Sequence, residues 1–515
     1  MTKRTRNAIL GGAVLLVLVA ALVVLLLLPE APPADDSESP ATEAMDPLVD
    51  KSVEVADGET APEVVQSVTI AREGETFTIK PNADGVYAVE AYADLPVYES
   101  AVEILFDELE TITPESKLET PLTDPTPFGF GDKGIQVSVT YTDGDTYAFE
   151  LGDKVATGSG YYYREKDANT IYVAGTMLAE TVDEPSTYYV GRSLTTEPQK
   201  REDDETGTAQ LMKVEVTGVE REPLTIRYKR EGDRASLTDL CNYLIEVPVV
   251  TSTNLEVMSD WQTKFNNLSA MEVLVAHPTA AQKAQYGLDA PKITAYLTLG
   301  VHTTTENEEG DVTATEVYNA RTYTLYAGDT NADGDYYMMV DGLDIVFLVG
   351  STDAAFMGAT FDDVVLETPL DSRIQDVERV VITANGKTHT FALTHIAGKE
   401  DEEIELLVNA DGDPKSDPDN FRAFYSLIVS MERHKGVTDA EADAFMAGNP
   451  AMSAEITLER LDGDDEQVQF YEYDGNRTLI VRKDGRRYLV KTANVETILR
   501  QMENVLAGKT VVEVY

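Results

Sequence analysis

The chain begins with a short basic segment followed by a long apolar run. Lys3, Arg4 and Arg6 precede an uncharged, apolar stretch over residues 8–28. At about 1.5 Å per residue, a helix over this stretch would be roughly 31 Å long, which matches the hydrocarbon core of a bilayer. The pattern predicts a transmembrane helix over residues 8–28, preceded by a cytoplasmic tip over residues 1–7.

The charges on either side of the apolar run predict its orientation. Basic residues precede the run, whereas Glu30, Asp35 and Asp36 follow it. Because the positive end of a membrane helix stays in the cytoplasm, we expect the C-terminal bulk of this single-pass protein to be extracytoplasmic. A cleaved signal peptide is the alternative, but its apolar stretch is usually about 7–15 residues and ends at a small-residue cleavage site. Here residues 25–28 are all leucine and lead directly to Pro29.

A segment rich in acidic residues, proline, serine and threonine follows the predicted membrane helix. Over residues 30–66 the only basic residue is Lys51. Such a composition offers little apolar surface to offset the entropy of ordering the chain. We therefore predict an acidic flexible linker over residues 29–66, with a mean end-to-end distance of about 33 Å.

Three segments of the remaining chain open with the same alternation of apolar and polar positions. The alternation predicts two short strands around a turn, at residues 68–79, 214–226 and 380–393. Each predicted hairpin is followed by apolar residues at helical spacing, over residues 98–112, 255–275 and 421–431. These apolar stripes are most simply core positions.

After each predicted helix comes a short loop and then several more predicted strands. The loops are Phe128-Gly-Phe130, Tyr286-Gly-Leu288 and Ala447-Gly-Asn-Pro450. A helix patterned against one face of an antiparallel sheet is the α+β arrangement. We therefore predict a transmembrane helix followed by repeated α+β modules of antiparallel sheet packed on helices, at residues 67–195, 212–372 and 375–515.

The second predicted module contains an insertion rich in threonine and glutamate over residues 301–317. It lies between two predicted strands, so it is either a projecting hairpin tip or a disordered loop. Insertions at such a position cost little loop-closure entropy.

Several motifs of the chain resemble the bacterial family known as domain of unknown function 4340. They are the basic segment with its membrane helix, Ala284-Gln-Tyr-Gly-Leu-Asp-Ala-Pro291, and the strand Thr322-Tyr-Thr-Leu-Tyr-Ala-Gly-Asp329 followed by Tyr336-Tyr-Met-Met-Val340. The resemblance is best over residues 212–370. It implies an exported, membrane-anchored protein, sometimes associated with gliding-type ABC transport systems. It implies no known reaction and no catalytic residues.

The formal net charge of −51 arises from 92 acidic and 41 basic residues. A surface of this charge repels nucleic acid, so we expect no nucleic-acid partner. Cys241 is the only cysteine, so the chain cannot form an internal disulfide. Its apolar neighbours Leu240 and Leu244 suit a buried structural thiol better than a nucleophile.

No catalytic or cofactor-binding motif is recognised. The five histidines show no zinc-binding spacing, and the chain has no Gly-x-Ser-x-Gly motif and no P-loop. His389 and His395 flank one predicted strand, and an exposed position on that strand is the simplest interpretation. We predict a protein that is not an enzyme and has no cofactor.

One acidic sequence resembles the start of an EF-hand calcium loop. Asp329, Asn331, Asp333 and Asp335 occupy alternate positions around Gly334. The acid required at the twelfth position of such a loop is replaced by Val340. A tight acidic turn between strands explains the Asp-Gly sequence equally well, so calcium binding is only a candidate interpretation.

Three functions remain open from the sequence. The first is a non-enzymatic binding, scaffold or ABC-transporter-accessory protein of the cell envelope. The second is a protein that binds a small ligand or cell-wall glycan through a groove lined by some of the 25 tyrosines. The third, an envelope hydrolase, lacks any supporting motif.

Overall fold

The computed structural model describes residues 45–53, 63–118, 124–156, 160–230, 233, 241–306, 312–366, 368–396, 405–434 and 437–512. Four sheets built from antiparallel strand pairs are combined with helices over these residues. The predicted α+β class is therefore confirmed. The predicted cytoplasmic tip and membrane helix lie outside the described residues. Among the described residues, no helix is long and apolar enough to cross a membrane.

Ten strands lie in the first part of the chain. In chain order they are β1 (Val49–Asp50), β2 (Val65–Arg72), β3 (Glu75–Pro81), β4 (Tyr87–Val89), β5 (Thr111–Ile112), β6 (Ser116–Lys117), β7 (Ile135–Tyr141), β8 (Thr146–Lys154), β9 (Tyr161–Glu165) and β10 (Tyr172–Ala174). β1 pairs with β5 alone, and the others form a sheet in the order β4-β3-β2-β7-β8-β9-β10-β6.

The second large sheet contains nine strands. They are β11 (Thr208–Gly218), β12 (Leu224–Tyr228), β13 (Tyr243–Val247), β14 (Thr251–Ser252), β15 (Glu272–Ala276), β16 (Ile293–Glu306), β17 (Val312–Thr330), β18 (Tyr336–Val340) and β19 (Ile345–Val349). The strand order is β14-β13-β12-β11-β16-β17-β18-β19-β15.

The third large sheet contains eight strands. They are β20 (Val377–Ala384), β21 (Lys387–Ile396), β22 (Glu405–Ala410), β23 (Asp413–Ser416), β24 (Met452–Arg460), β25 (Glu466–Asp474), β26 (Arg477–Arg482) and β27 (Arg487–Lys491). The strand order is β23-β22-β21-β20-β24-β25-β26-β27.

The described α-helices are short, and one lies at the C-terminal end of the described chain. In chain order they are α1 (Glu99–Glu110), α2 (Thr176–Val182), α3 (Leu255–Asn266), α4 (Ala280–Gln285), α5 (Ala355–Gly358), α6 (Phe361–Val364), α7 (Pro418–Val429), α8 (Asp439–Ala447) and α9 (Thr492–Leu506). Single 3₁₀ turns lie at Glu90–Tyr92, Thr126–Phe128, Ser186–Tyr189 and Ile374–Asp376.

The three large sheets share one topology. In each sheet, the strands that come first in the chain run from the middle of the sheet out to one edge. The earliest of them pairs with the first strand of a later meander, which extends to the other side, as β11 pairs with β16. A short strand between the main helix and the meander occupies the far edge in two sheets, as β6 and β15. In the third sheet a single bridge between His434 and Leu489 stands at the corresponding place. This shared topology accounts for the repeated pattern in the sequence.

The helix predicted over residues 255–275 is correct only in its first half. It ends at Asn266, and residues 272–276 form the edge strand β15 instead. Met271, which the helical spacing assigned to the core, is 55% exposed. The run Val273-Leu274-Val275 fits an edge strand because its β-branched residues favour extended backbone.

The insertion over residues 301–317 consists largely of strand rather than loop. β16 and β17 continue through it as a long hairpin, in which His302 lies opposite Val317 and Thr304 lies opposite Thr315. Alternation of β-branched and polar residues supports this extended pairing. The tip, residues 307–311, lies outside the described residues.

Part of the predicted linker is ordered. The segment 29–66 includes β1 and the first residues of β2, and Val49 in β1 is only 7% exposed. The composition predicted that the entropy lost on ordering would keep this segment flexible. Burial of Val49 and pairing with β5 offset that loss of entropy. Residues 29–44 and 54–62 of the linker lie outside the described residues.

The described chain divides into two compact units. One comprises the residues up to Val65 together with Ile70–Gly74 and Leu105–Asp183, and the other comprises the remainder. Within the second unit, α3 and α5 pack Trp261, Phe265 and Phe356 against the second sheet. The third sheet carries a core formed with α7 and α9 on one face. A smaller cluster on this sheet involves Ala442 of α8.

Candidate functional site

The Tyr286-Gly-Leu288 loop is held by close backbone contact with strand β17. The amide of Asp329 donates a hydrogen bond to the carbonyl of Tyr286 at 2.9 Å. A Cβ placed at Gly328 would overlap that same carbonyl oxygen. Gly287 has φ 69°, a left-handed conformation that favours glycine. The glycines of this motif are therefore required for packing of the loop.

The first repeat has the same arrangement, and the third departs from it. A Cβ at Gly152 would overlap the carbonyl oxygen of Phe128, and Gly129 has φ 79°. In the third repeat Gly448 has φ −73°, which any residue can adopt. The backbone of the third loop therefore does not require glycine at this position, whereas the left-handed backbone of the other two loops favours it.

An aromatic pair anchors each of the first two loops, and a third pair involves the helix that precedes the third loop. The ring centroids lie 5.0 Å apart for Phe128 and Tyr162, and 4.7 Å apart for Tyr286 and Tyr337. In the third repeat Phe445 and Tyr473 are 4.9 Å apart. Ring pairs at these separations stabilise packing, so these aromatic residues have a structural role in holding the loops.

The four residues of the calcium candidate lie at the turn between β17 and β18, where their polar groups bond within the turn. The Oδ1 atom of Asn331 accepts from the amides of Asp333 and Asp335, each at 2.9 Å. Asp335 also accepts from the amide of Ser351, and Asp329 contacts Lys292 at 2.5 Å. Hydrogen bonding to the ionised form lowers the pKa of Asp335, with the Ser351 amide as the largest cause.

This geometry corresponds to the tight acidic turn rather than to an open calcium loop. Among the residues that the structure describes, no group of three or more His, Cys, Asp or Glu side chains is arranged to hold a metal ion. The calcium interpretation itself stays a prediction that only a binding measurement can test.

His389 and His395 both lie within β21, where they are half-buried rather than exposed, and they are not brought together at one site. His389 Nδ1 lies 2.7 Å from Asp411 Oδ2, whereas His395 Nε2 lies 2.8 Å from the carbonyl oxygen of Val377. Cys241 is buried, as expected, and its Sγ lies 2.9 Å from Thr253 Oγ1. These contacts are those of structural side chains.

A cleft lies where the second repeat meets the third, within the second compact unit. Its volume is about 730 Å³. The second repeat contributes the turn 219–223, residues 292–293 and the segment 357–362, and the third contributes residues 437–439 and 486–488. We refer to these residues as the junction cleft.

The junction cleft carries charges of both signs. The acids at its rim, Glu220, Glu222 and Asp439, are exposed. Arg221 donates to the carbonyl oxygens of Met357 and Ala359, and burial lowers the pKa of its guanidinium. Val219, also at the rim, is 72% exposed. The cleft therefore offers exposed carboxylates beside an exposed apolar side chain.

Arg486 links the base of the cleft to both repeats. Burial, the largest single cause, lowers the pKa of Arg486, but the hydrogen bond to Asp484 and the charges of neighbouring groups together raise it overall. The same guanidinium donates to Thr251 Oγ1 of the second repeat at 3.1 Å. Its carbon Cζ lies 5.8 Å from the ring centroid of Phe361, a cation–π distance.

Buried polar contacts join the two repeats behind the cleft. Ser252 Oγ donates to Asp371 Oδ2 at 2.6 Å, and both residues are about 5% exposed. The amides of Asp371 and the adjacent Ser372 donate to Glu466 Oε2 of the third repeat, at 3.1 and 3.2 Å. Buried, satisfied polar contacts make an interface rigid, so the second and third repeats form one body.

The sequence analysis did not identify the junction cleft. Its residues come from five separate stretches of chain, none with a recognisable motif. The exposed valine in the turn 219–223 is the one local signal, because a hairpin turn rarely needs an apolar residue at its tip.

Comparison with known proteins gives one family. A family model described as Domain of unknown function (DUF4340) matches residues 88–291 and 254–461, which together cover more than half of the chain. No curated protein and no solved structure matches the chain. The first matched stretch includes the loops at 128–130 and 286–288, and the second includes those at 286–288 and 447–450. The chain therefore belongs to the DUF4340 family and contains that family's domain in repeated form.

Proposed function

We propose that the chain is a membrane-anchored, extracytoplasmic, non-enzymatic protein of the cell envelope that binds or scaffolds a partner protein. The observation that carries this proposal is the junction cleft, formed by two repeats that are fixed to each other by buried contacts. Accessory function to an ABC transporter is the specific form that the family resemblance favours.

Two features of the cleft support a protein partner. The rim combines exposed carboxylates with Val219, and protein interfaces commonly surround an apolar contact with polar residues. The rigid junction also reduces the entropy lost when a partner binds. The glycine and aromatic residues shared by the repeats hold loops in place, so the repeats serve to build a surface.

Crosslinking in membranes tests the proposal. The full chain should be recovered in covalent complexes after mild crosslinking, and Glu222→Arg combined with Asp439→Arg should reduce their yield. The matched control is Glu496→Arg, a charge reversal at an exposed position of α9 in the third repeat. Recovery of the wild-type chain only as a free monomer would count against a scaffold role.

A small-ligand or glycan-binding function is the second candidate. The cleft volume lies within the range of about 300–1,000 Å³ that is usual for small-molecule sites. Its aromatic residues are Phe361 and Tyr488. Soluble peptidoglycan fragments should raise the thermal unfolding midpoint of the wild type and not of Phe361→Ala, and no shift at millimolar ligand would remove this candidate.

A further inference from the structure

The segment 45–53 is bound to the first compact unit by main-chain pairing. The amide of Leu48 donates to the carbonyl oxygen of Ile112 at 2.8 Å, and the amide of Lys51 donates to that of Glu110 at 2.9 Å. Val49 is buried between these two contacts. The segment therefore adds a short strand to the end of the main helix and the residues that follow it.

Lys51 adds an ionic contact on the same unit. Its Nζ atom lies 2.6 Å from Asp143 Oδ2 and 2.6 Å from Asp145 Oδ2, in the turn between β7 and β8. Nζ also lies 5.3 Å from the ring centroid of Tyr141. The hydrogen bond to Asp143, followed by that to Asp145, raises the pKa of Lys51. One cation is thus held by two carboxylates.

The position of Lys51 in the sequence makes this contact selective. It is the only basic residue over residues 30–66, a stretch that is otherwise acidic. No other residue of that stretch could pair with the two aspartates, so the ionic contact fixes which part of the chain is bound. Val49 in the adjacent strand β1 fixes the register.

We propose that residues 45–53 form a clasp that shortens the tether between the membrane and the first compact unit. This inference rests on the proposed membrane anchor. With the clasp closed, residues 29–44 separate the proposed membrane helix from the first ordered contact of the folded unit. With the clasp open, residues 29–62 do, so the connecting chain is longer.

Hydrogen exchange of the full chain in lipid nanodiscs tests the clasp. Lys51→Glu replaces attraction by repulsion, and we expect the amides of Leu48 and Lys51 to exchange roughly threefold or more faster. The reversal Lys51→Glu with Asp143→Lys and Asp145→Lys should restore slow exchange. Unchanged exchange in Lys51→Glu would overturn the proposal.

The matched control is Lys80→Glu. It reverses the charge of an exposed lysine that forms an ion pair with Glu90 at 2.6 Å, and it should leave the amides of Leu48 and Lys51 unaffected. If Lys80→Glu accelerated exchange of these two amides as much as Lys51→Glu does, the proposal would also be overturned. The faster exchange would then come from the change in net charge and not from loss of the Lys51 contact.

Fluorescence energy transfer from the first compact unit to the lipid tests whether the clasp brings that unit closer to the membrane. A donor dye on Lys166→Cys, an exposed position of the first unit, in a Cys241→Ser background should transfer less to labelled headgroups when Lys51→Glu is present. If transfer is absent in both proteins while exchange still changes, the membrane anchor fails and the clasp stands. If transfer is present and equal in both, the tether is not shortened and the proposal fails.

Discussion

Close backbone contact determines which residues the repeats share. At Gly328 and Gly152 the strand passes so near a loop carbonyl that any side chain would overlap it. The same loops carry a left-handed glycine and an aromatic anchor. The resemblance of the repeats to each other therefore reflects a packing requirement, and it fades in the third repeat, where the contact is absent.

Substitution of Gly328 tests this requirement. Gly328→Ala should lower the free energy of unfolding of the second repeat by roughly 2–4 kcal/mol, because the new Cβ must displace backbone. Chemical denaturation followed by circular dichroism would measure the change. Gly475→Ala is the control, since a Cβ at Gly475 meets nothing within 4 Å; equal destabilisation by both substitutions would refute the steric explanation.

Because of Tyr141, the first compact unit should lose stability as the pH becomes alkaline. Burial, the largest cause, raises the pKa of Tyr141 from 10.0 to about 12, and its hydroxyl donates to the carbonyl oxygen of Leu109 at 2.9 Å. Because the folded state favours the neutral phenol, this contribution to stability is complete below pH 10 and is lost as the pH rises toward 12.

Tyr141→Phe separates the two effects of this side chain. At neutral pH the variant should be less stable by about 1 kcal/mol, because the hydrogen bond to Leu109 is lost. Between pH 10 and pH 12 its stability should decline less steeply than that of the wild type, which denaturant titrations at each pH would measure. Parallel declines would show that Tyr141 does not titrate with unfolding.

Most individual strands and helices could be predicted from local pattern. The hairpins around Gly74 and Asn385-Gly386 appear as expected because alternation and turn residues specify them locally. The second half of the predicted helix over residues 255–275 could not be predicted, because pairing of β15 with β19 is a tertiary contact. Helical periodicity in α9, where Val495, Ile498, Met502 and Val505 are buried, was a usable signal that the sequence analysis missed.

The turn between β17 and β18 provides a test at the scale of one element. Because Asn331 and Asp335 already satisfy the polar groups of this turn, we predict that calcium does not bind there. Isothermal titration with millimolar CaCl₂ should give no heat, and the thermal unfolding midpoint should not change. A saturable heat that disappears in Asp333→Ala would establish the calcium site instead.

At the scale of the whole molecule, the contacts that matter join residues far apart in the sequence. Asp371 lies in the connection between the second and third sheets, yet its carboxylate binds Ser252 and its amide donates to Glu466. No local pattern could place these residues together, because their proximity depends on how two complete repeats pack. The repeats were predictable from the sequence, and the junction between them was not.

Asp371→Ala tests whether the second and third repeats unfold together. Loss of the buried carboxylate leaves the hydroxyl of Ser252 without this acceptor and should cost roughly 1–3 kcal/mol. Scanning calorimetry should show the two repeats unfolding in one transition in the wild type and in separated transitions in the variant. Asp362→Ala removes an ion pair with Arg433 across the same junction, and because the side chain of Asp362 is 73% exposed, it should cost less than the loss of the buried Asp371. Separated transitions in the wild type would contradict a rigid junction.

The proposed role in the cell envelope requires that the chain is anchored in the membrane and that its repeats lie outside the cytoplasm. Single-cysteine labelling with a membrane-impermeant maleimide tests both in cells whose inner membrane is intact. With Cys241→Ser as background, Lys166→Cys should be labelled without lysis, Thr5→Cys should be labelled only after lysis, and the chain should remain in the membrane fraction after an alkaline wash. Labelling of Lys166→Cys only after lysis, or release of the chain by the wash, would contradict the account.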